Sequence, residues 1–186
     1  SVLVSFEMQK LLAGAVMVSP FLPLLFMGGE YSEPHPFLYF VDPIDPELSK
    51  TIREGRIQEF AAFHIEGEAP DPVSEETFFR SRLQWELISR QPYKTMLDYY
   101  KTLIDIRKRH PILNHPDRQQ LKLSFDEQTQ TLELHRRQGE QQLICLMNFS
   151  QQTQEMVIPA CRAGWKKLLD SADAGWKGPG AAPDTA

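Results

Sequence analysis

Two carboxylates three residues apart, Glu30 and Glu33, lie in a stretch dense in aromatic rings: Tyr31, Phe37, Tyr39 and Phe40. Paired carboxyls can hydrolyse a glycosidic bond, but a retaining hydrolase needs them ~5–5.5 Å apart on opposite sides of the sugar. Two acids this close on one loop do not straddle a substrate, so the pair is not read as the bond-breaking one. Glu30 is instead a candidate for substrate contact or for a structural hydrogen bond. Tyr31 and Phe37 are candidate stacking surfaces, because a sugar ring presents an apolar face to an aromatic side chain. Packing of the loop by those same rings is the competing reading.

Other chemistry-bearing residues point nowhere specific. His35 and His64 have carboxylates nearby, yet no two histidines share a ligand spacing, so no metal is expected, and no cofactor. Cys145 and Cys161 are too few for a disulfide framework, and a reducing compartment, the cytoplasm, is expected. Arg107 to His110 form a cationic cluster that a helix C-terminus explains without a ligand. Trp165 and Trp176 invite a carbohydrate-binding reading, with a place in a core as the alternative. The 186 residues are 41% hydrophobic and 24% charged, with a formal net charge of -5. That balance is ordinary for a globular protein and offers no footprint for nucleic acid or an anionic membrane. No window reaches the ~18 apolar residues needed to span a bilayer. The chain opens without Met and enters an amphipathic pattern within five residues, so it is read as beginning inside a domain.

The elements that must position these residues follow from periodicity. Phe6, Leu11, Leu12, Ala15, Val16 and Val18 predict a helix over 5–18, closed by Pro20. The apolar run Phe21 to Met27, ending at Gly28-Gly29, suits a strand buried on both faces, although Pro23 sits poorly in a central strand. Residues 30–44 read as an ordered loop. Asp45-Pro46-Glu47 supplies an N-cap, a first-turn proline and a first-turn acid for a helix to about Phe63. Residues 64–73 form another loop, and Ser74 caps a helix through about Leu87. Tyr93, Met96, Leu97, Tyr100, Leu103, Ile104 and Arg107 mark a helix over 92–110 that Pro111 stops. Beyond residue 113 the period falls to two: Leu121, Leu123 and Phe125, then Leu132, Leu134 and Arg136, then 142–149 and a short strand 155–158. Polar turns between them indicate an antiparallel meander.

The stretch Ser19-Pro-Phe-Leu-Pro-Leu-Leu-Phe-Met-Gly-Gly-Glu-Tyr31, then Glu33, Pro36-Phe-Leu-Tyr-Phe40 and Asp45-Pro-Glu-Leu48, resembles the malto-oligosyltrehalose trehalohydrolases of the α-amylase superfamily. Arg53-Glu-Gly-Arg56, Arg80-Ser81-x-Leu83-x-Trp85 and Trp165-x-x-Leu168-Leu169-Asp170-Ser171 extend the likeness over nearly the whole chain. In that family a Pro-x-x-Phe-Met-Gly-Glu-Glu-Tyr-Gly-Glu signature marks the eighth barrel strand. Gly29 here replaces the usual first Glu, and Ser32 replaces the usual Gly.

The resemblance implies an α/β part followed by an all-β part. Residues 1–113 would be the C-terminal end of a (β/α)8 TIM barrel, and residues 114–186 an antiparallel β-sandwich domain. It implies hydrolysis of the α-1,4 bond next to the terminal trehalosyl unit of maltooligosyl trehalose. The three catalytic carboxylates would lie upstream of Ser1, so no catalytic residue is expected in this chain. Glu30, Tyr31 and Phe37 are the expected contacts to the α-glucan substrate, Glu30 because the C-terminal ends of barrel strands face the active site. A fragment of a glycogen branching enzyme and a non-catalytic carbohydrate-binding module remain the alternatives.

Overall fold

The computed structural model describes residues 3–62, 69–114, 119–161 and 164–183. Five helices are found among them: α1 (Phe6–Val18), α2 (Pro46–Ala62), α3 (Glu75–Arg80), α4 (Tyr93–Arg109) and α5 (Pro111–Asn114). Three strands follow, β1 (Leu121–Asp126), β2 (Thr131–Gln138) and β3 (Gln141–Asn148), with 3₁₀ turns at Gly29–Tyr31, Trp85–Ser89 and Ala174–Trp176. The chain divides into two compact units, residues 33–86 and the residues flanking them on either side.

In the flanking unit, the Ser5 hydroxyl caps α1 by accepting from the Met8 amide at 3.1 Å. The apolar face of α1 then buries Ala13 and Met17 against Met96, Tyr99 and Leu103 of α4. The C-terminal carbonyls of α1 need donors, as at any helix end. Arg107 of α4 supplies them, bonding the carbonyls of Met17, Ser19 (3.0 Å) and Phe21 (2.8 Å). Burial holds this guanidinium's pKa below the usual arginine range.

The sheet has the order β1-β2-β3, antiparallel throughout, with Leu123 opposite Leu134 and Leu134 opposite Cys145. The Asp126 carboxylate accepts from the Gln128 amide at 2.8 Å in the first hairpin, and Gly139 takes φ 58° in the second. Leu134 and Met147 are buried, and burial pushes the Cys145 thiol up to about 11. Arg136, the third member of the Leu132, Leu134 alternation, is also buried, and it reaches the carbonyls of Val18 (3.3 Å) and Leu113 (3.4 Å).

Past the sheet, residues 170–182 fold into a compact loop. Asp170 accepts from the amides of Ala172 (2.9 Å) and Ala182 (2.7 Å), and Gly180 donates to the Ala172 carbonyl at 2.9 Å. Lys10 of α1 ties the loop down: its ammonium donates to the carbonyls of Ser171 (2.6 Å) and Trp176 (2.9 Å) and pairs with Glu7 at 2.9 Å. The side chain has 0% exposure, and these partners match its three donors. Trp176 packs edge-on against Tyr99, their ring centroids 5.3 Å apart, so this Trp lies against the core.

The 33–86 unit is built on α2 and α3. Asp45 accepts from the Glu47 amide at 3.0 Å to start α2, and Ser74 accepts from the Glu76 amide at 3.2 Å to start α3. The proline-rich loop is ordered, as its aromatic density led one to expect. Leu38 donates to the Ser81 hydroxyl at 3.0 Å, and Val41 to the Pro72 carbonyl at 2.8 Å.

Several expectations need correction. Residues 21–27 form no strand with any described segment, and Leu22 is 95% and Leu24 94% exposed. A strand exists only through a neighbour's ladder, and Pro23 has no N–H to offer one. Residues 155–158 likewise form no strand, and Val157 is exposed. Among the described residues the β region is one three-stranded sheet, whose edge residues Leu123 and Phe125 are exposed. The helix begun by Ser74 ends at Arg80 rather than near Leu87; α4 stops at Arg109 ahead of Pro111, as expected, and Pro111 then opens the separate one-turn helix α5. His64, Phe63 and much of the 64–73 loop lie outside the described residues, as do 115–118 near the expected domain boundary.

Candidate functional site

Glu30 sits at the centre of the 3₁₀ turn Gly29–Tyr31. Left-handed residues bracket that turn, Gly28 at φ 86° and Ser32 at φ 65°. Gly suits such a conformation; for Ser the left-handed region costs about 1 kcal/mol. The Ser32 hydroxyl offsets this by donating to Gln9 Oε1 at 2.6 Å, a bond whose net worth is about 0.5–1.5 kcal/mol. The departure from the family's glycine is thus accommodated by a partner on α1. Gly29 has no atom within 4 Å of where a Cβ would stand, so the missing family carboxylate leaves open space rather than a refilled contact.

The turn is anchored by Tyr31, whose side chain has 0% exposure. In this conformation Tyr31 presents no free ring face to a sugar. Glu30 is half-buried, and no described residue donates a hydrogen bond to its carboxylate. Its charge nevertheless reaches Tyr100 of α4, whose hydroxyl is pushed above its ordinary pKa first by burial and then by Glu30.

Glu33 is the opposite case. Buried in the 33–86 unit, its carboxylate accepts from the amides of His35 (2.9 Å) and Gln84 (2.8 Å) and from the Gln84 side chain (3.2 Å). Those bonds join the start of the loop to residues 82–84, and His35 Nδ1 adds a contact to the Arg82 carbonyl at 3.0 Å. A carboxylate so occupied is a structural clamp. Phe37, in the same unit, is 49% exposed and begins a chain of edge contacts through Phe40 (5.8 Å) to Phe78 (5.2 Å). An open cleft of 580 Å³ in this unit is lined by His35, Pro36, Glu75, Glu76, Phe79 and Arg80.

Of the three expected contacts, the structure places Glu30 and Tyr31 side by side on one turn and Phe37 in the other compact unit. Trp165 donates from its indole to the Pro159 carbonyl at 2.7 Å. Gln9 was not legible as part of the site, since a polar residue in the second turn of a helix carries no mark of its own. Ser32 was legible only as a departure from the family pattern.

No protein-family model matches the chain. Over 124 residues it is 38% identical to the malto-oligosyltrehalose trehalohydrolase of Brevibacterium helvolum, an alignment covering 66% of this chain and 21% of that protein. Over 165 residues it is 34% identical to the protein of the same name from Rhizobium sp. strain M-11, covering 88% of this chain and 26% of that one. A crystal structure of a Salmonella typhimurium protein assigned as an α-amylase superposes with a TM-score of 0.79 at 30% identity, covering 98% of this chain and 29% of that one. All seven curated relatives carry the trehalohydrolase name. The chain spans only about a fifth to a quarter of their length (21% and 26% for the two above). The chain is thus similar in sequence to malto-oligosyltrehalose trehalohydrolases and in fold to an α-amylase, over about a fifth to a third of their length (21%, 26% and 29%).

Proposed function

We propose that the whole protein is a glycoside hydrolase that cleaves the α-1,4 bond next to the terminal trehalosyl unit of maltooligosyl trehalose, releasing trehalose. The observation that carries this reading is the single name shared by all the curated relatives. Residues 1–113 are then the last strand and following helices of a (β/α)8 barrel, and residues 114–186 belong to a β-sandwich domain. The exposed apolar run 21–27 supports this, since a barrel strand buries such residues between its neighbours and the surrounding helices. The retaining chemistry uses a carboxylate nucleophile, an acid/base carboxyl and a transition-state-stabilising Asp, all outside this chain.

Within that reaction Glu30 contacts the substrate, its carboxylate accepting from sugar hydroxyls. Support comes from its half-buried place on an anchored turn, with no described donor occupying it. Phe37, 49% exposed, is a separate proposed glucan contact, while the buried Tyr31 anchors the Glu30 turn. The compartment is the cytoplasm, in keeping with the unpaired thiols of Cys145 and Cys161.

A broader reading, hydrolysis of unmodified α-glucans, is favoured by the likeness to the Salmonella protein. The whole protein, given maltooligosyl trehalose and a linear malto-oligosaccharide in separate reactions, distinguishes the two by its products. Trehalose as the main product of the first supports the proposal. Linear products from both, with no trehalose, would leave only the broader reading. The 186-residue chain alone should release neither.

A further inference from the structure

We propose that Gln9 is a positioning residue for Glu30, acting through Ser32; this rests on the substrate contact assigned to Glu30 above. The turn carrying Glu30 is short, and its own main-chain bonds are few. Gly29 donates to Phe26 at 3.0 Å, Tyr31 to Gly28 at 3.3 Å and Ser32 to Gly29 at 3.2 Å. Two of these are long, and both ends of the turn are left-handed. Left to itself, such a segment has several ways to relax, Ser32 most readily, because L-residues favour negative φ.

What opposes that relaxation comes from outside the turn. The Tyr31 ring is fully buried, which fixes the residue next to Glu30. One residue further on, the Ser32 hydroxyl donates to Gln9 Oε1 at 2.6 Å. The Gln9 amide is itself oriented, since its Nε2 donates to the Val4 carbonyl at 3.2 Å. Only the oxygen is then turned toward Ser32, where an acceptor is needed. Gln9 lies on α1, whose neighbouring residue Lys10 is tied to the 170–182 loop and whose C-terminus is held by Arg107 and Arg136. The helix carrying Gln9 is therefore pinned at the next residue and at its C-terminus. Glu30, half-buried and without a described donor, receives its position from these neighbours rather than from bonds of its own.

The substitutions Gln9→Met, which removes the acceptor while keeping the length, and Gln9→Glu, which keeps an acceptor oxygen, separate positioning from bulk packing. In the whole protein, Gln9→Met should lower kcat/KM for trehalose release by about tenfold, the scale on which small misplacements act. Gln9→Glu should stay within about threefold of wild type, and Ser32→Ala should match Gln9→Met with no further loss in the double variant. Independently of activity, amide hydrogen exchange at residues 29–32 should quicken in Gln9→Met while α4 is unchanged. Unchanged exchange there, or a double variant whose losses simply add, would overturn the proposal. Faster exchange with wild-type kinetics, while Glu30→Gln is impaired, would overturn positioning but leave the Glu30 contact standing. Wild-type kinetics for Glu30→Gln would instead remove the contact on which both rest.

Discussion

Arg136, on the central strand of the sheet, donates to the carbonyl of Val18, the last residue of α1, at 3.3 Å. A buried guanidinium from the β region thus takes up an orphan carbonyl of the helix on which the Glu30 turn is mounted. The same side chain reaches Leu113 at 3.4 Å, so one residue ties together α1, α5 and β2. Replacing it by Met keeps the apolar stem but leaves those acceptors without this donor. Arg136→Met should lower unfolding stability by about 1–3 kcal/mol, read as a shifted urea midpoint at unchanged slope. Arg136→Lys should recover only part of this, because an ammonium lacks the planar fork that spans two carbonyls. A midpoint within error of wild type would show that neither carbonyl depends on Arg136.

Lys10 serves the 170–182 loop in a comparable way. Lys10→Met leaves the carbonyls of Ser171 and Trp176 without their buried donor, a loss of about 2–3 kcal/mol if the loop stays docked. The loop should instead open. Limited proteolysis should cut within 170–182 in the variant well before it cuts wild type, while the sheet stays intact. Equal cleavage rates would mean that Trp176 packing alone holds the loop.

Two glycines divide cleanly by the space around them. A Cβ at Gly178 would lie 2.2 Å from the Ala172 carbonyl oxygen, inside rigid backbone, whereas one at Gly29 meets nothing within 4 Å. Gly178→Ala should destabilise by about 1–3 kcal/mol, as overpacking does. Gly29→Glu, which restores the family's residue, should leave the thermal midpoint unchanged. A reversed order in differential scanning calorimetry would contradict the local geometry at both sites.

How much of this could be read from the sequence depended on whether a signal was local. α1, α2 and α4 were legible because caps, stripes and stops lie within each segment. The first two hairpins were legible because Gly139 and the Asp126 turn mark them. Residues 21–27 and 155–158 were not, because an apolar run announces burial but a strand needs a partner whose presence no local pattern records. Arg107 and Arg136 were visible as charged residues standing at positions where an apolar period wants a hydrophobic one. Their partners, carbonyls 86 to 118 residues away apart from Leu113 at 23, were not. For the candidate site, Glu30 could be placed at a turn end. That Tyr31 is an anchor, that Glu33 is saturated and that Gln9 orients Ser32 emerged only from packing.

Asp71 gives a test in the 33–86 unit. The Arg53 guanidinium, bonding both carboxylate oxygens at 2.9 and 3.0 Å, holds its pKa below the ordinary aspartate value, with a further contribution from the Val73 amide. A carboxyl whose pKa is lower folded than unfolded contributes stability that is complete above the unfolded value, ~3.9, and disappears as pH falls through the folded one. Both side chains are nearly half exposed, so the contribution is small. An NMR titration of Asp71 should give a midpoint below that of a free aspartate, moved back up in Arg53→Met. A midpoint indifferent to Arg53 would refute the pairing as its cause.

Steady-state trehalose release by the whole protein, comparing Glu30→Gln with Glu33→Gln, bears most directly on the function assigned here. Removing the Glu30 charge should cost the charge-assisted bonds it makes to sugar hydroxyls, roughly 10- to 100-fold in kcat/KM, without lowering the thermal midpoint. Glu33→Gln should do the reverse, lowering the midpoint while the folded enzyme keeps kcat/KM within about threefold of wild type, since its carboxylate is occupied by His35 and Gln84 and not by substrate. Wild-type kcat/KM for Glu30→Gln, or no trehalose from the unmodified protein, would contradict the account.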